Sequence, residues 1–178
     1  VSVPEGRPWV YIAQNHSTNF DALEACAAVS IGSTKAHLIS NNEWMTLARN
    51  AESVATNWTS GIGSTLVRGN SNTSISLNGF NALTGINRRT HYLTNGETIW
   101  DMAGNINDWN SDIQTTAINT NSALVEWNNA NVATGARELY GPSSASYLSG
   151  NGVGQVYGGA LNNGFIRGGN WYNGSSAG

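Results

Sequence analysis

Histidine, cysteine and acidic side chains are the groups in this chain that could bind a metal or act as nucleophiles. The three histidines, His16, His37 and His91, lie far apart and lack the H-x-x-x-H and H-E-x-x-H spacings of zinc sites. Cys26 is the one cysteine, so no disulfide can close within these 178 residues. Its small apolar neighbours predict a buried structural thiol. Zinc chemistry is therefore not expected.

The acidic residues near the segment WDMAGNINDW, residues 100–109, are the next candidates for chemistry. Asp101 and Asp108 bracket this segment and Asp112 follows it, but their spacing alone does not define an acid/base pair. The oxygens of Asn105 and Asp108, together with nearby backbone carbonyls, are ligands that suit calcium. A tight turn satisfied by the same side chains is the alternative. Both interpretations remain open, and no other cofactor is predicted.

The composition favours one domain, residues 1–178, with short elements and ordered loops. The chain contains 25 Asn and 21 Gly, which favour turns, while seven Trp and six Tyr supply apolar surface for a core. Only 11% of the residues are charged, the net charge is −3, and the basic residues are scattered. Nucleic acid is therefore an unsuitable partner. No stretch approaches the roughly 18 apolar residues of a membrane span.

Two helices are predicted in the first third of the chain. The segment NFDALEACAAVS, residues 19–30, places apolar residues on one helical face. In LISNNEWMTLARNAES, residues 38–53, Ser40 and Glu43 have the spacing of a capping box, and Ile39 and Trp44 that of a hydrophobic staple. These signals predict a helix that starts near residue 41.

Short strands and loops are predicted for the rest of the chain. The alternation in residues 8–13 predicts a first strand, and Thr94-Asn95-Gly96 predicts the turn of a hairpin between RRTHYL and ETIW. The segment GFIRGGNW, residues 164–171, predicts a late strand. Its alternation would place Asn170 and Tyr172 on one face and Trp171 on the other.

Three segments in this order and spacing resemble the formylglycine-generating-enzyme-like family: AHLISNNEWMTLARN at 36–50, NRRTHYLTNGETIWDMAGNINDW at 87–109 and GFIRGGNW at 164–171. The resemblance implies an α+β architecture, an elaborated C-type lectin fold with two helices packed on small twisted antiparallel sheets and a long loop-rich insertion. It also implies that these residues form the scaffold: Trp44, Trp100, Trp109, Arg167, Gly168, Gly169 and Trp171.

The family contains enzymes that oxidise a substrate cysteine with a pair of late cysteines. This chain has no cysteine after Cys26, which implies a non-catalytic member. Two alternatives stay open: an oxidase of the formylglycine-generating type whose cysteines lie outside residues 1–178, and a structural subunit of a phage or pilus surface. Family members also extend beyond both ends of this sequence, and the Gly104–Trp109 turn has a shorter acid than the family pattern, which weakens the expectation of calcium.

The end of the chain, residues 140–178, resembles the variable region of proteins diversified by retroelements, which are lectin-fold binding proteins. In these proteins only template adenines are rewritten, so AAY codons for Asn give access to many residue types. The resemblance implies a ligand-binding surface for a protein or glycan on a cell surface, and an extracellular, cell-surface or virion-surface location. An oligomer would add avidity. The candidate variable residues are Asn162, Asn163, Phe165, Asn170, Tyr172, Asn173, Ser175 and Ser176.

Overall fold

The computed structural model describes residues 20–69, 71, 86–121, 123–158, 161–170 and 172–174. The strand predicted at residues 8–13 lies outside them, as do Asn19, Trp171, Ser175 and Ser176. The helices are α1 (Phe20–Ala27), α2 (Asn41–Glu52) and α3 (Ala136–Tyr140), and the strands are β1 (Ser30–Ile31), β2 (Thr34–Lys35), β3 (Thr90–Tyr92), β4 (Thr98–Trp100), β5 (Asp108–Ile113), β6 (Leu124–Val125), β7 (Val156–Tyr157) and β8 (Gly164–Arg167).

Helix α2 begins where its capping signals predict. Ser40 is the N-cap, its hydroxyl accepts the Glu43 N–H, and the Glu43 carboxylate accepts the Ser40 N–H at 2.8 Å. These hydrogen bonds and the His37 ring lower the pKa of Glu43 to about 2. Ile39 packs with buried Trp44, as the staple predicts. The capping residues therefore fix the start of the helix, and the predicted helix is confirmed.

The predicted hairpin is confirmed as β3 and β4. These antiparallel strands pair Thr90 with Trp100, and the turn closes through the Leu93 N–H, which donates to Glu97 O at 2.9 Å. Gly96 has a φ of 86°, a backbone conformation that glycine adopts without steric cost. The Asn-Gly signal thus located the turn correctly.

The described elements form a mixed α and β architecture of few helices and small antiparallel sheets. Each of the four sheets has two described strands, ordered β1-β2, β3-β4, β5-β8 and β6-β7. Two apolar clusters serve as the main core: one around Trp44 and Met102, and one around Trp127 and Val156. The α+β prediction is confirmed at this level. Helix α3 was not predicted, since its five residues are too short for a periodic signal.

Much of the Asn content is structural. Asn57 is fully buried, and its Nδ2 donates to Ala51 O at 2.9 Å and to Tyr92 O at 2.7 Å. Its Oδ1 accepts the Tyr92 N–H at 2.9 Å and an Arg88 N–H at 2.6 Å. Buried polar groups need such partners. The side chain of Asn57 therefore connects the end of α2 to β3. In a larger sheet, backbone hydrogen bonds to a neighbouring strand would hold β3 instead.

Acid should destabilise the fold through His91. The ring is 2% exposed, its Nε2 lies 2.8 Å from Val67 O, and its Nδ1 has no hydrogen-bond partner within the described part of the chain. Burial lowers the pKa of His91 to about 4 from its ordinary 6.5. The unfolded chain therefore takes up a proton first, so stability is fully present above pH 6.5 and is lost as the pH falls towards 4.

The expected loss in the free energy of unfolding is roughly 3 kcal/mol across that window. Urea unfolding of the native chain and of the variant His91→Gln at a series of pH values measures it, because the difference between the two isolates this ring from other titrating groups. A His37→Gln control should change the free energy of unfolding at neutral pH by less than about 1 kcal/mol, since the His37 side chain is 70% exposed. Identical pH profiles for His91→Gln and the native chain would show that His91 does not cause the loss of stability in acid.

Candidate functional site

Strands β5 and β8 form the antiparallel sheet that carries the candidate site. Asp108 pairs with Arg167 and Trp109 with Ile166, and after an irregularity in β5 Ile113 pairs with Gly164. Because paired residues share a face and successive residues alternate, the sheet has two chemically different faces. We call the face of Asp108, Asn110, Phe165 and Arg167 the inner face, and that of Trp109, Ile113 and Ile166 the outer face.

The inner face packs on α2 and α3 through Arg167. Its guanidinium donates to Tyr140 O at 2.8 Å and to Asn41 Oδ1 and lies over the rings of Trp44 and Phe165, at 5.4 and 5.3 Å from their centroids. Burial lowers the pKa of Arg167 to about 10, which leaves it charged at neutral pH. Arg167 therefore attaches β8 to both helices, as a scaffold residue does.

The acids of β5 also serve the inner face. The Asp112 Oδ2 accepts the N–H of Asn41 at 2.5 Å, at the first turn of α2, where a carboxylate is favoured by the helix dipole. Asn110 has no exposed surface. Burial raises the pKa of Asp108 to about 7. These polar groups place β5 against the helix and leave no charged side chain of β5 on the outer face.

The residues near Asn105 and Asp108 give little support to calcium binding. Asn105 is 3% exposed with a φ of 68°, the left-handed conformation of a tight turn. Burial raises the pKa of Asp108 in the metal-free chain. Within the described ranges, no three acidic, His or Cys side chains come together in a group that could hold a metal. Asn105 therefore lies in a tight turn, and the calcium site stays a prediction.

The outer face is apolar and exposed. Ile166 is 50% exposed and Ile113 44%, and Trp109 is half-buried between them. The β6–β7 pair has the same character, because Leu124 and Tyr157 face each other in register and are also exposed. Exposed apolar residues that lie next to one another are typical of binding surfaces, whereas isolated ones are not informative.

Strand β8 ends earlier than its sequence predicts. Gly168 and Gly169 have φ values of 75° and 59°, which are incompatible with an extended strand. The chain turns instead, and the Asn173 N–H donates to Asn170 O at 3.1 Å. The expectation that Asn170 and Tyr172 alternate along a continuing strand is therefore wrong. Both residues lie in a turn.

The candidate variable residues fall into distinct environments. Asn162, Asn163 and Tyr172 are exposed, Tyr172 by 70%. Asn170 and Asn173 close their turn, since the Asn170 N–H donates to Asn173 Oδ1 at 2.7 Å. The Tyr172 N–H donates to Asn170 Oδ1 at 3.0 Å. The exposed members thus lie in the two turns that flank β8.

Phe165, unlike the exposed candidate variable residues, does not lie in either turn. It lies on the inner face, packs against the cluster of Trp127 and stacks on Tyr140 with 5.3 Å between ring centroids. Among the scaffold candidates, Trp44 is buried, Trp100 lies beneath the Arg89 guanidinium at 5.5 Å, and Trp109 belongs to the outer face. The sequence motifs therefore did not distinguish the two faces of the sheet.

A cleft of about 660 Å³ is lined by residues from both faces of the β5–β8 sheet. Its lining includes Trp109 and Ile166, Asn162 and Asn163 from the turn before β8, and Asn173 from the turn after it. It continues to Leu124 and Tyr157 and extends inward to α2. The volume falls within the roughly 300 to 1,000 Å³ of small-ligand sites. The cleft connects both turns to the outer face.

Sequence reasoning missed the outer face, although the alternation in DWNSDI held a signal. A two-residue period places Asp108, Asn110 and Asp112 on one face and Trp109, Ser111 and Ile113 on the other, so both apolar residues share a face. A strand of an antiparallel sheet usually packs its apolar face on the core. Here the polar face packs on α2, so the strand has the opposite orientation.

Compared with protein-family models, with curated proteins and with solved structures, the chain gives no match in any of the three. Among the residues that the structure describes, no helix has the length and apolar character needed to cross a bilayer.

Proposed function

We propose that this chain is a non-catalytic ligand-binding protein with a C-type lectin fold. In this proposal a retroelement diversifies its C-terminal surface, which binds protein or glycan targets outside the cell or on a cell or virion surface. One observation carries the proposal. An exposed apolar sheet face, Trp109, Ile113 and Ile166, lies between two turns that bear the exposed candidate variable residues.

The sheet and the turns have separate roles, which supports this function. Arg167 attaches β8 to α2 and α3 from the inner side, so side chains in the flanking turns can change without loss of the core contacts. Tyr172 offers an aromatic ring with few rotatable bonds, and Asn162 and Asn163 offer hydrogen-bonding groups. Tyr and Asn with these properties are enriched in antibody paratopes.

The outer face carries no charged side chain of β5 or β8, which favours apolar contacts and neutral hydrogen bonds with a ligand. The charged residues of β5 and β8 are Asp108, Asp112 and Arg167, and all three alternate onto the inner face, where Asp112 is exposed at the start of α2. Binding through the outer face should therefore depend on apolar contact and neutral hydrogen bonds. Its affinity should change by less than about twofold with ionic strength, because screening acts on exposed charges.

Two display libraries on the same scaffold test the proposal. The first varies Asn162, Asn163 and Tyr172, and the matched control varies three exposed residues of the β1–β2 hairpin, Ser30, Ile31 and Thr34. Both are panned against one panel of purified cell-surface proteins and glycans. We expect specific binders from the first library alone, and an Ile166→Asp change in such a binder should weaken it at least about tenfold.

The control for folding is the thermal midpoint of each binder and of its Ile166→Asp variant, which should agree because Ile166 is half exposed in the unbound chain. Binders recovered equally from both libraries, or binders from the first that tolerate Ile166→Asp, would argue against a binding surface at β8.

A further inference from the structure

Asn-Gly pairs are chemically reactive, and this chain has five of them. The described ones are Asn95-Gly96, Asn151-Gly152, Asn163-Gly164 and Asn173-Gly174. In such a pair the backbone nitrogen of the glycine can attack the Asn side-chain carbonyl, since glycine has no side chain to hinder the approach. The folded structure decides how readily each pair reacts, because the Asn side chain must rotate freely and the glycine nitrogen must be accessible.

Asn163 meets the first condition. It is exposed in the turn before β8, and its side chain makes no hydrogen bond within the described part of the chain. Its backbone carbonyl accepts the Gln114 N–H at 2.9 Å, which holds the main chain while the side chain remains free.

The ladder geometry satisfies the second condition. Ile113 and Gly164 are register partners, and the Gln114 N–H donates to Asn163 O, which is the pattern of a non-hydrogen-bonded antiparallel pair. In such a pair the N–H of each residue points away from the partner strand. The Gly164 nitrogen is therefore not engaged by β5 and is available for attack.

The other three pairs are restrained. Asn151 donates from Nδ2 to Gly63 O and Ser64 O, at 2.9 and 2.8 Å, and its Oδ1 accepts the Leu148 N–H at 3.0 Å. Two further side chains are held within their own turns. Asn95 bonds Glu97 through both side-chain atoms at 3.1 Å, and Asn173 Oδ1 accepts the Asn170 N–H at 2.7 Å.

We propose that Asn163 is a site of spontaneous covalent modification, deamidation to aspartate and isoaspartate, in the folded protein. The Gly164 nitrogen bonds to the Asn163 side-chain carbonyl carbon and loses its proton, and the bond from that carbon to Nδ2 breaks to release ammonia. The product is a five-membered succinimide. One water molecule then opens the ring at either carbonyl, which yields aspartate or, with the main chain rerouted through the side chain, isoaspartate.

The modification places a carboxylate beside the uncharged outer face. Asn163 and Ile166 line the same cleft, so a negative charge there would alter binding through that cleft. This consequence rests on the proposed function, whereas the reaction itself does not. Conversion without any effect on a ligand would therefore count against the binding surface and leave the modification standing.

Peptide mapping by mass spectrometry tests the reaction. The native chain is incubated in mildly alkaline buffer, and the four described Asn-Gly peptides are followed for ammonia loss and for the aspartate and isoaspartate products. Asn163 is expected to convert at least about tenfold faster than Asn151, because one net hydrogen bond corresponds to about that factor. In a urea-unfolded sample the four rates should approach one another.

Two outcomes would overturn the proposal. In the first, Asn163 remains an amide while Asn95 or Asn151 converts. In the second, the four native rates equal those of the unfolded chain. A Gly164→Ala variant adds a second test, since a methyl group beside the attacking nitrogen should slow conversion at Asn163 and leave Asn95 unchanged. Gly164 does not have a positive φ, so alanine introduces no backbone strain there.

Discussion

Replacing Asp101 with asparagine is expected to lower the free energy of unfolding by about 3 to 5 kcal/mol. Asp101 and Arg89 form a buried ion pair, with side chains 6% and 2% exposed, in which Arg89 Nε donates to Asp101 Oδ1 at 2.7 Å. The hydrogen bond that Arg89 donates to the Asp101 carboxylate raises the pKa of Arg89. Asparagine keeps the size of the side chain and tolerates the positive φ of 54° at this position. The loss would therefore report the buried charge that remains on Arg89.

Urea unfolding measures this loss, with Glu138→Gln as the matched control. Glu138 pairs with Arg137 at the surface, where its side chain is 57% exposed, so its replacement should cost less than about 1 kcal/mol. A combined Arg89→Met and Asp101→Asn variant should recover part of the stability, because it removes both charges and keeps a side chain that tolerates the positive φ of residue 101. Equal losses for Asp101→Asn and Glu138→Gln would show that burial does not govern the first pair.

Replacing Gly168 with alanine is expected to cost about 3 kcal/mol or more in the free energy of unfolding. Gly168 has a φ of 75°, and a Cβ there would lie 2.6 Å from Met102 O and 3.1 Å from Asp108 Oδ2. The Gly168 carbonyl also accepts the Gly104 N–H at 2.7 Å. The methyl group would therefore push the end of β8 away from the turn before β5.

A Gly135→Ala variant separates the cost of backbone strain at a positive φ from the cost of a steric collision of the new Cβ. Gly135 has a similar φ of 79°, but nothing lies within 4 Å of its Cβ position, so alanine there should cost about 1 kcal/mol. Guanidinium unfolding of both variants gives the comparison. If the two variants lost the same stability, the close approach of Gly168 to Met102 would have no energetic role.

Local signals explain what could be predicted of the fold. The start of α2 depends on Ser40, Glu43 and Trp44, which lie within one helical turn, and the β3–β4 turn depends on Asn95 and Gly96. Each signal involves hydrogen bonds between residues a few positions apart. Such contacts can be read from the sequence because no other part of the chain is needed to satisfy them.

The features that could not be predicted depend on distant partners. Strand β8 ends at Arg167 because Gly168 fits against Met102 and Gly104, far away in the sequence. The same glycine pair could equally have continued an extended strand. Helix α3 has only five residues, and its Arg137 O and Glu138 O accept hydrogen bonds from Arg49 of α2, at 3.1 and 2.7 Å. Its position is thus fixed by tertiary contacts.

The exposure of the turns that flank β8 was predictable, and the orientation of the sheet was not. Asn162, Asn163 and Tyr172 are exposed, as small polar and turn-forming sequences suggest. The outer face escaped prediction because the inner face of β5 buries polar side chains. Asn110 is fully buried there, and Asp112 bonds the start of α2. An apolar alternation alone cannot tell which face meets the helix when polar groups have partners inside.

The DNA around the coding sequence tests the central claim most directly. We predict a nearby second copy of the DNA for residues 140–178, next to a reverse transcriptase gene and differing from the coding copy only at adenine positions of the template. The differences should fall in the codons for Asn162, Asn163 and Tyr172 and spare those for Gly168 and Gly169. A complete genome with neither the second copy nor the reverse transcriptase gene would contradict the claim that this surface is diversified.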